Sequence, residues 1–311
     1  MPRVEWQPPF TPPQAPIPSL RPKRAPKVAP GARYEARSFG HGSSARPYKL
    51  YVPRSYHNAP VPLVVMLHGC TQSADDFALG TRMNDLAEEQ GFVVAYPEQI
   101  TTANAQLCWN WFKADEQERG RGEPAAVAGL VAAIAAELSI DKSRIYAAGL
   151  SAGGAFVATL GAAYPDLFAA IGVHSGLPCG SAHDVPTAFA AMRDGPRLAA
   201  SPRARSSAPA IVFHGDRDRT VNPANGEAIV SQATGQAEVA TKVVKGRSAG
   251  GIAFTRRVES DATGRPLAEH WTLHGAGHAW SGGSEEGSFT EPRGPDASRE
   301  MLRFFRGHSL R

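Results

Sequence analysis

The chain has 311 residues, 42% apolar and 20% charged, a composition that suits a folded globular protein and excludes a disordered one. Its net charge of +4 sits in the first 32 residues, where Arg3, Arg21, Lys23, Arg24 and Lys27 face only Glu5. Elsewhere 28 basic residues balance 28 acidic ones, so no nucleic-acid-binding face is expected, and no apolar run is long enough to insert in a membrane.

Ten of the 26 prolines fall in the first 30 residues, so residues 1–32 read as an extended basic arm or linker ahead of one domain over residues 33–311. The arm lacks the apolar core of a secretion signal, which leaves the location open and favours the cytoplasm only slightly. RPYKLYVP (46–53) alternates like an exposed strand, and VPLVVMLHG (61–69) is a continuous apolar run of the kind that forms a central parallel strand. A helix is expected over 81–90, a second buried strand over 91–99 and a long helix over 122–140. A short strand beginning at Ile145 runs through GLSAG (149–153) into a helix ending near Tyr164. FAAIGVHSG (168–176) and APAIVFHGD (208–216) are two more buried strands. Between them, residues 177–207 are too many for a simple crossover; they are expected to hold a helix near 186–193 and to shape one side of a cleft. EHWTLHGAGH (269–278) reads as a last strand leading into a glycine-rich loop, and a helix over 296–306 closes the chain. Strands alternating with helices in this way predict an α/β fold, with a mostly parallel central sheet flanked by helices on both faces.

A serine set between glycines where a strand turns abruptly into a helix has the form of a nucleophile elbow. A hydroxyl is a weak nucleophile at neutral pH, so Ser151 needs a histidine base, and that base needs a carboxylate to hold its tautomer. In parallel sheets such groups collect at the carboxyl ends of strands, here HGC (68–70), GLS (149–151), HGDRD (214–218) and HGAGH (274–278). His278, beyond the last strand, is the fitting base; His68, His214 and His274 each precede a glycine at a strand end and are assigned structural hydrogen bonds. Asp218 is the expected acid, with Asp216 structuring its loop. The backbone N–H groups of Ala152 and Cys70 are the expected oxyanion donors. His270, His274 and His278 have the spacing of a helical metal face, but the intervening glycines argue for strand and loop. No metal and no cofactor is expected. The three cysteines suit one bridge with a free thiol, or three reduced thiols.

LHGCTQSADDFALGTRMNDLAEEQGFVVAYPEQ (67–99), CWNWF (108–112), GRGEP (120–124) and YAAGLSAGGAF (146–156) resemble the polyhydroxybutyrate depolymerase family of esterases. GVHSGLP (172–178), FHGDRDRTVNPANGE (213–227) and HGAGHAWSGGS (274–284) continue the resemblance. It implies the α/β-hydrolase fold and serine esterase chemistry through Ser151, Asp218 and His278, with Cys70 and Ala152 as oxyanion donors. Short-chain or hydroxyalkanoate esters are the substrates it implies. A feruloyl, acetylxylan or aromatic-polyester esterase with the same triad is the alternative. Trp109, Trp111 and Trp280 are expected to wall the cleft, and a Cys70–Cys108 bridge would tie the oxyanion loop to the Trp loop.

Overall fold

The structure, a computed structural model, describes residues 24–40, 45–197 and 207–310. Its centre is the run Val61–Leu67, strand β3, in which alternate side chains serve opposite faces. Leu63, Val65 and Leu67 enter one apolar cluster, and Val64 and Met66 enter another on the far side of the sheet. That two-sided demand is why the run is apolar throughout.

The chain places β1 (Arg33–Phe39), β2 (Arg46–Val52), β3, β4 (Val93–Pro97), β5 (Ile140–Leu150), β6 (Ala170–His174) and β7 (Ala210–Gly215) in one sheet. With β8 (Ala240–Arg247), β9 (Ala253–Ser260) and β10 (Pro266–Leu273) it has ten strands, in the order β1-β2-β4-β3-β5-β6-β7-β10-β9-β8. The strands from β4 to β10 run parallel, and antiparallel pairs complete each side. The chain moves outward from β3 to β4 and returns to place β5 on the other side of β3. The crevice at such a reversal is where parallel sheets bind ligands.

Helices α1 (Ala74–Thr81), α2 (Met83–Gln90) and α7 (Ala297–Arg306) cover one face. On the other lie α3 (Gly122–Glu137), α4 (Ala152–Ala163), α5 (Val185–Asp194) and α6 (Ala224–Thr234). Helix α7 docks by Met301, Leu302, Phe304 and Phe305, with the Phe305 ring stacked on Tyr146 at 4.7 Å. Each such side chain contributes about 1.5–3 kcal/mol on burial.

Several expected elements change extent. Ser73 caps an unexpected helix, α1, by accepting the Asp76 N–H, and Arg82 in left-handed backbone (φ 54°) separates it from α2, which therefore starts later than expected. Strand β5 begins at Ile140, inside the segment expected to be helical. Strands β1, β8 and β9 were not anticipated, because they lack the apolar alternation of a half-buried strand: β8 is almost wholly exposed and β9 half-buried along its length. Of the expected arm, residues 24–32 run along the domain, with Pro26 buried and Ala32 against the core. Residues 1–23 lie outside the described residues.

Buried Glu269 on β10 ties the sheet to α7. It accepts from Trp271 Nε1 (2.7 Å), Arg256 (2.8 and 3.0 Å) and Arg303. Glu269→Gln keeps the shape and removes the charge, and should lower the unfolding free energy by about 1–3 kcal/mol. A fall in the urea midpoint at pH 7 is the check.

Candidate active site

Ser151 occupies φ 56°, ψ −120° between β5 and α4, a strained conformation for a residue with a side chain. The flanking glycines are required by close approach. A Cβ on Gly153 would stand 2.1 Å from the Leu67 carbonyl oxygen, and one on Gly149 would stand 2.6 Å from the Gly153 carbonyl. The first turn of α4 thus presses against the end of β3, and the serine is held above both. Ala152, the first residue of α4, has no acceptor for its N–H within the helix.

The acid and the imidazole come from the ends of β7 and β10. Asp218 Oδ2 accepts the His278 Nδ1–H at 2.7 Å, while Oδ1 accepts the N–H groups of Thr220 (2.8 Å) and Val221 (2.9 Å). Burial alone would push the Asp218 carboxyl up. Hydrogen bonds from His214 and His278, the charge on His278 and the Val221 N–H outweigh burial and hold it well below the usual carboxylate range. His278 Nε2 has no partner among the described residues. Asp216, the competing acid, instead accepts from His274 Nδ1 (2.9 Å) and the Gly275 N–H (2.7 Å) at the surface, and fixes the loop that leads to His278. His270 is on β10 and His274 just beyond it, so neither shares a helical face with His278.

The loop after β3 is pinned from several directions. Burial pushes the His68 imidazole down to about 4; as a neutral ring it donates from Nδ1 to Gly69 O (2.8 Å) and accepts the Gln99 N–H at Nε2 (3.1 Å). The Gln72 side chain accepts the Gly69 N–H (2.9 Å) and donates to Asp76 (3.0 Å). A disulfide joins Cys70 to Cys108. Cys108 begins a loop held by buried Glu123, which accepts the Asn110 N–H (2.9 Å), Asn110 Nδ2 (2.8 Å) and Gln99 Nε2 (2.5 Å). Gln72 and Glu123 are contributions that sequence reasoning missed, since a lone polar residue in a loop or a first helical turn carries no pattern.

Between these elements lies a cavity of 410 Å³. Ser151, Ala152, Cys70 and Cys108 stand on one side, and α5 supplies Val185, Ala188, Phe189 and Met192 on another. Trp111, Phe112, Leu177 and Val221 complete its apolar lining, and its polar side chains besides Ser151 are Asn104 and Gln106. The segment before β7 thus shapes one side of the cleft through a helix, as expected. Two of the three tryptophans expected in the wall are elsewhere. Trp109 is buried, stacked on Phe156 at 4.9 Å, with Nε1 donating to His68 O (3.1 Å). Trp280 is buried between His174 and Phe77, with Nε1 donating to Ser298 (3.1 Å). Each brings a large apolar ring and one donor, and the core satisfies both. Only Trp111 of the three reaches the cavity.

The sequence model of the family described as esterase PHB depolymerase matches residues 46–251. The chain belongs to that family. Poly(3-hydroxyalkanoate) depolymerase C of Paucimonas lemoignei, similar to this chain, is 35% identical over 233 residues, covering 71% of this chain and 55% of its own length. Feruloyl esterase B of Thermothelomyces thermophilus is 34% identical over 151 residues, 48% of this chain and 50% of its own. The chain spans about half the length of these curated relatives. A solved acetyl xylan esterase from Aspergillus awamori matches with a TM-score of 0.68 over 89% of this chain and 99% of that one. At 20% identity that likeness is one of fold, the α/β-hydrolase fold expected from the sequence of this family member.

Two predictions follow from these contacts. Glu227 is held down at about 2, by the hydrogen bond from His270 first and by Arg257, against burial that pushes it up. Asp218 and Glu227 are both more acidic folded than unfolded, so the stability they contribute is complete above about pH 4.3 and is lost as pH falls toward their folded values. Urea midpoints should therefore fall between pH 4.5 and 3, and Glu227→Gln should fall less steeply. The disulfide closes a 38-residue separation. Cys70→Ala/Cys108→Ala should lose about 2–4 kcal/mol of unfolding free energy, measured by urea denaturation.

Proposed function

We propose that the protein is a serine hydrolase of carboxylic esters, acting through an acyl-enzyme. The observation that carries this reading is Ser151 on its strained elbow, at a cavity shared with Cys70 and Ala152, together with the 2.7 Å contact that orients His278 on Asp218. His278 Nε2 takes the Ser151 proton as the hydroxyl attacks the ester carbonyl. The backbone N–H groups of Ala152 and Cys70 receive the oxyanion, and Asp218 steadies the imidazolium. His278 then returns the proton to the departing alcohol, and water repeats the sequence to release the acid.

The cavity favours an uncharged acyl group, because none of the described residues that line it is charged, and at 410 Å³ it holds more than an acetyl group. Short-chain and hydroxyalkanoate esters fit that description, and the depolymerase of Paucimonas lemoignei is similar to this chain. A second reading, an aryl acyl group such as ferulate, is favoured by the Trp111 and Phe112 rings in the wall and by the similarity to feruloyl esterase B.

Initial rates on para-nitrophenyl acetate, butyrate and octanoate, hydroxybutyrate oligomers and methyl ferulate test the reading. Ser151→Ala should lose at least about 10⁴-fold in kcat while keeping its thermal midpoint. Retained turnover in that variant overturns the assignment, and the ranking of oligomers against ferulate decides between the two acyl classes.

A further inference from the structure

Asp218 has an imidazole on each of two sides. His278 Nδ1 lies 2.7 Å from Oδ2, and His214 Nε2 lies 3.4 Å from the same oxygen. His214 Nε2 is also 2.9 Å from the carbonyl of Val221. A carbonyl only accepts, so a neutral His214 carries its proton on Nε2. The Val221 N–H in turn donates to Asp218 Oδ1. Carboxylate, main chain and imidazole thus form a closed clamp, and the Val221 side chain lines the cavity.

Among the described residues, nothing hydrogen-bonds the back of this ring. Buried His214 Nδ1 has no hydrogen-bond partner among them, nor has buried His270 Nε2, whose other nitrogen lies 3.1 Å from Glu227 Oε1. Both unpartnered nitrogens face Gly226 on α6, where a Cβ would stand 3.1 Å from His214 Nδ1 and 3.0 Å from His270 Nε2. His214 is therefore seated against a bare glycine Cα that His270 also faces, and its one donor is left to point at the acid loop.

We propose that His214 is a positioning residue for Asp218, seated against Gly226, an inference that rests on the esterase reading above. It touches no substrate. It sets the direction in which the carboxylate presents Oδ2 to His278, and it joins that direction to the position of the cleft wall at Val221.

The test compares His214→Phe, which keeps the ring and drops the donor, with His214→Gln, whose amide restores a donor near Nε2, and with Gly226→Ala, which crowds the ring from behind. In His214→Phe, kcat should fall about 10²-fold with KM within threefold, as expected when a catalytic group is misplaced rather than removed. His214→Gln should recover part of that loss, and Gly226→Ala should fall between. The independent readout is the His278 Nδ1 proton on Asp218, followed in the far-downfield proton spectrum of the full chain labelled with ¹⁵N-histidine. It should move in His214→Phe and Gly226→Ala and return toward its original position in His214→Gln. Loss of thermal stability with kcat and this resonance unchanged overturns the proposal. If His214→Phe does not fold, Gly226→Ala and His214→Gln decide it in the same way. Failure of the unaltered protein to hydrolyse any ester would sink the esterase reading, whereas the resonance reports on His214 whether or not substrate is turned over.

Discussion

The candidate site depends on how closely the first turn of α4 approaches the end of β3. Gly153 lies so near the Leu67 and His68 carbonyls that a single methyl group would collide with backbone. That contact forces the turn between β5 and α4 into the geometry that projects Ser151, and it sets Ala152 beside the loop carrying Cys70. The strain at Ser151 persists because the flanking elements are fixed independently, β5 by pairing with β3 and β6, and α4 by its apolar packing. The other parts of the site are adjusted to this fixed point.

Around it, hydrogen-bonded polar side chains do the adjusting. Gln72 and His68 hold the loop after β3, Glu123 holds the loop after Cys108, and Asp216 with His274 holds the approach to His278. Gln72, His68 and Glu123 are buried and stabilised by their partners rather than by exposure to water, whereas Asp216 and His274 pair at the surface. They specify where loops go, which apolar packing by itself does poorly, because loops have little apolar surface to bury.

The sheet and the residues that cluster at its carboxyl ends were legible because each rests on a repeated or local pattern. Continuous apolar runs marked β3, β4, β6 and β7, and the glycines around Ser151 marked the elbow. Chain order and strand ends separated Asp218 and His278 from Asp216 and His274, and the contacts pair them that way. The tryptophans misled for a physical reason: proximity in sequence to a site says nothing about which way an indole points, and both Trp109 and Trp280 found a buried acceptor. The β8–β9 hairpin was illegible because it buries too little of either face to impose a period of two.

Helix α5 supplies four side chains to the cavity, yet it belongs to the excursion between β6 and β7 and bears none of Ser151, Asp218 or His278. One wall of the cavity thus comes from a stretch of chain apart from the strand ends that carry those three residues. It is nonetheless tied to the acid loop, because Asn222, next to Val221, donates its N–H to Met192 O (2.7 Å) and its Nδ2 to Arg193 O (3.1 Å), so this wall of the cavity hangs from the same loop that carries Asp218.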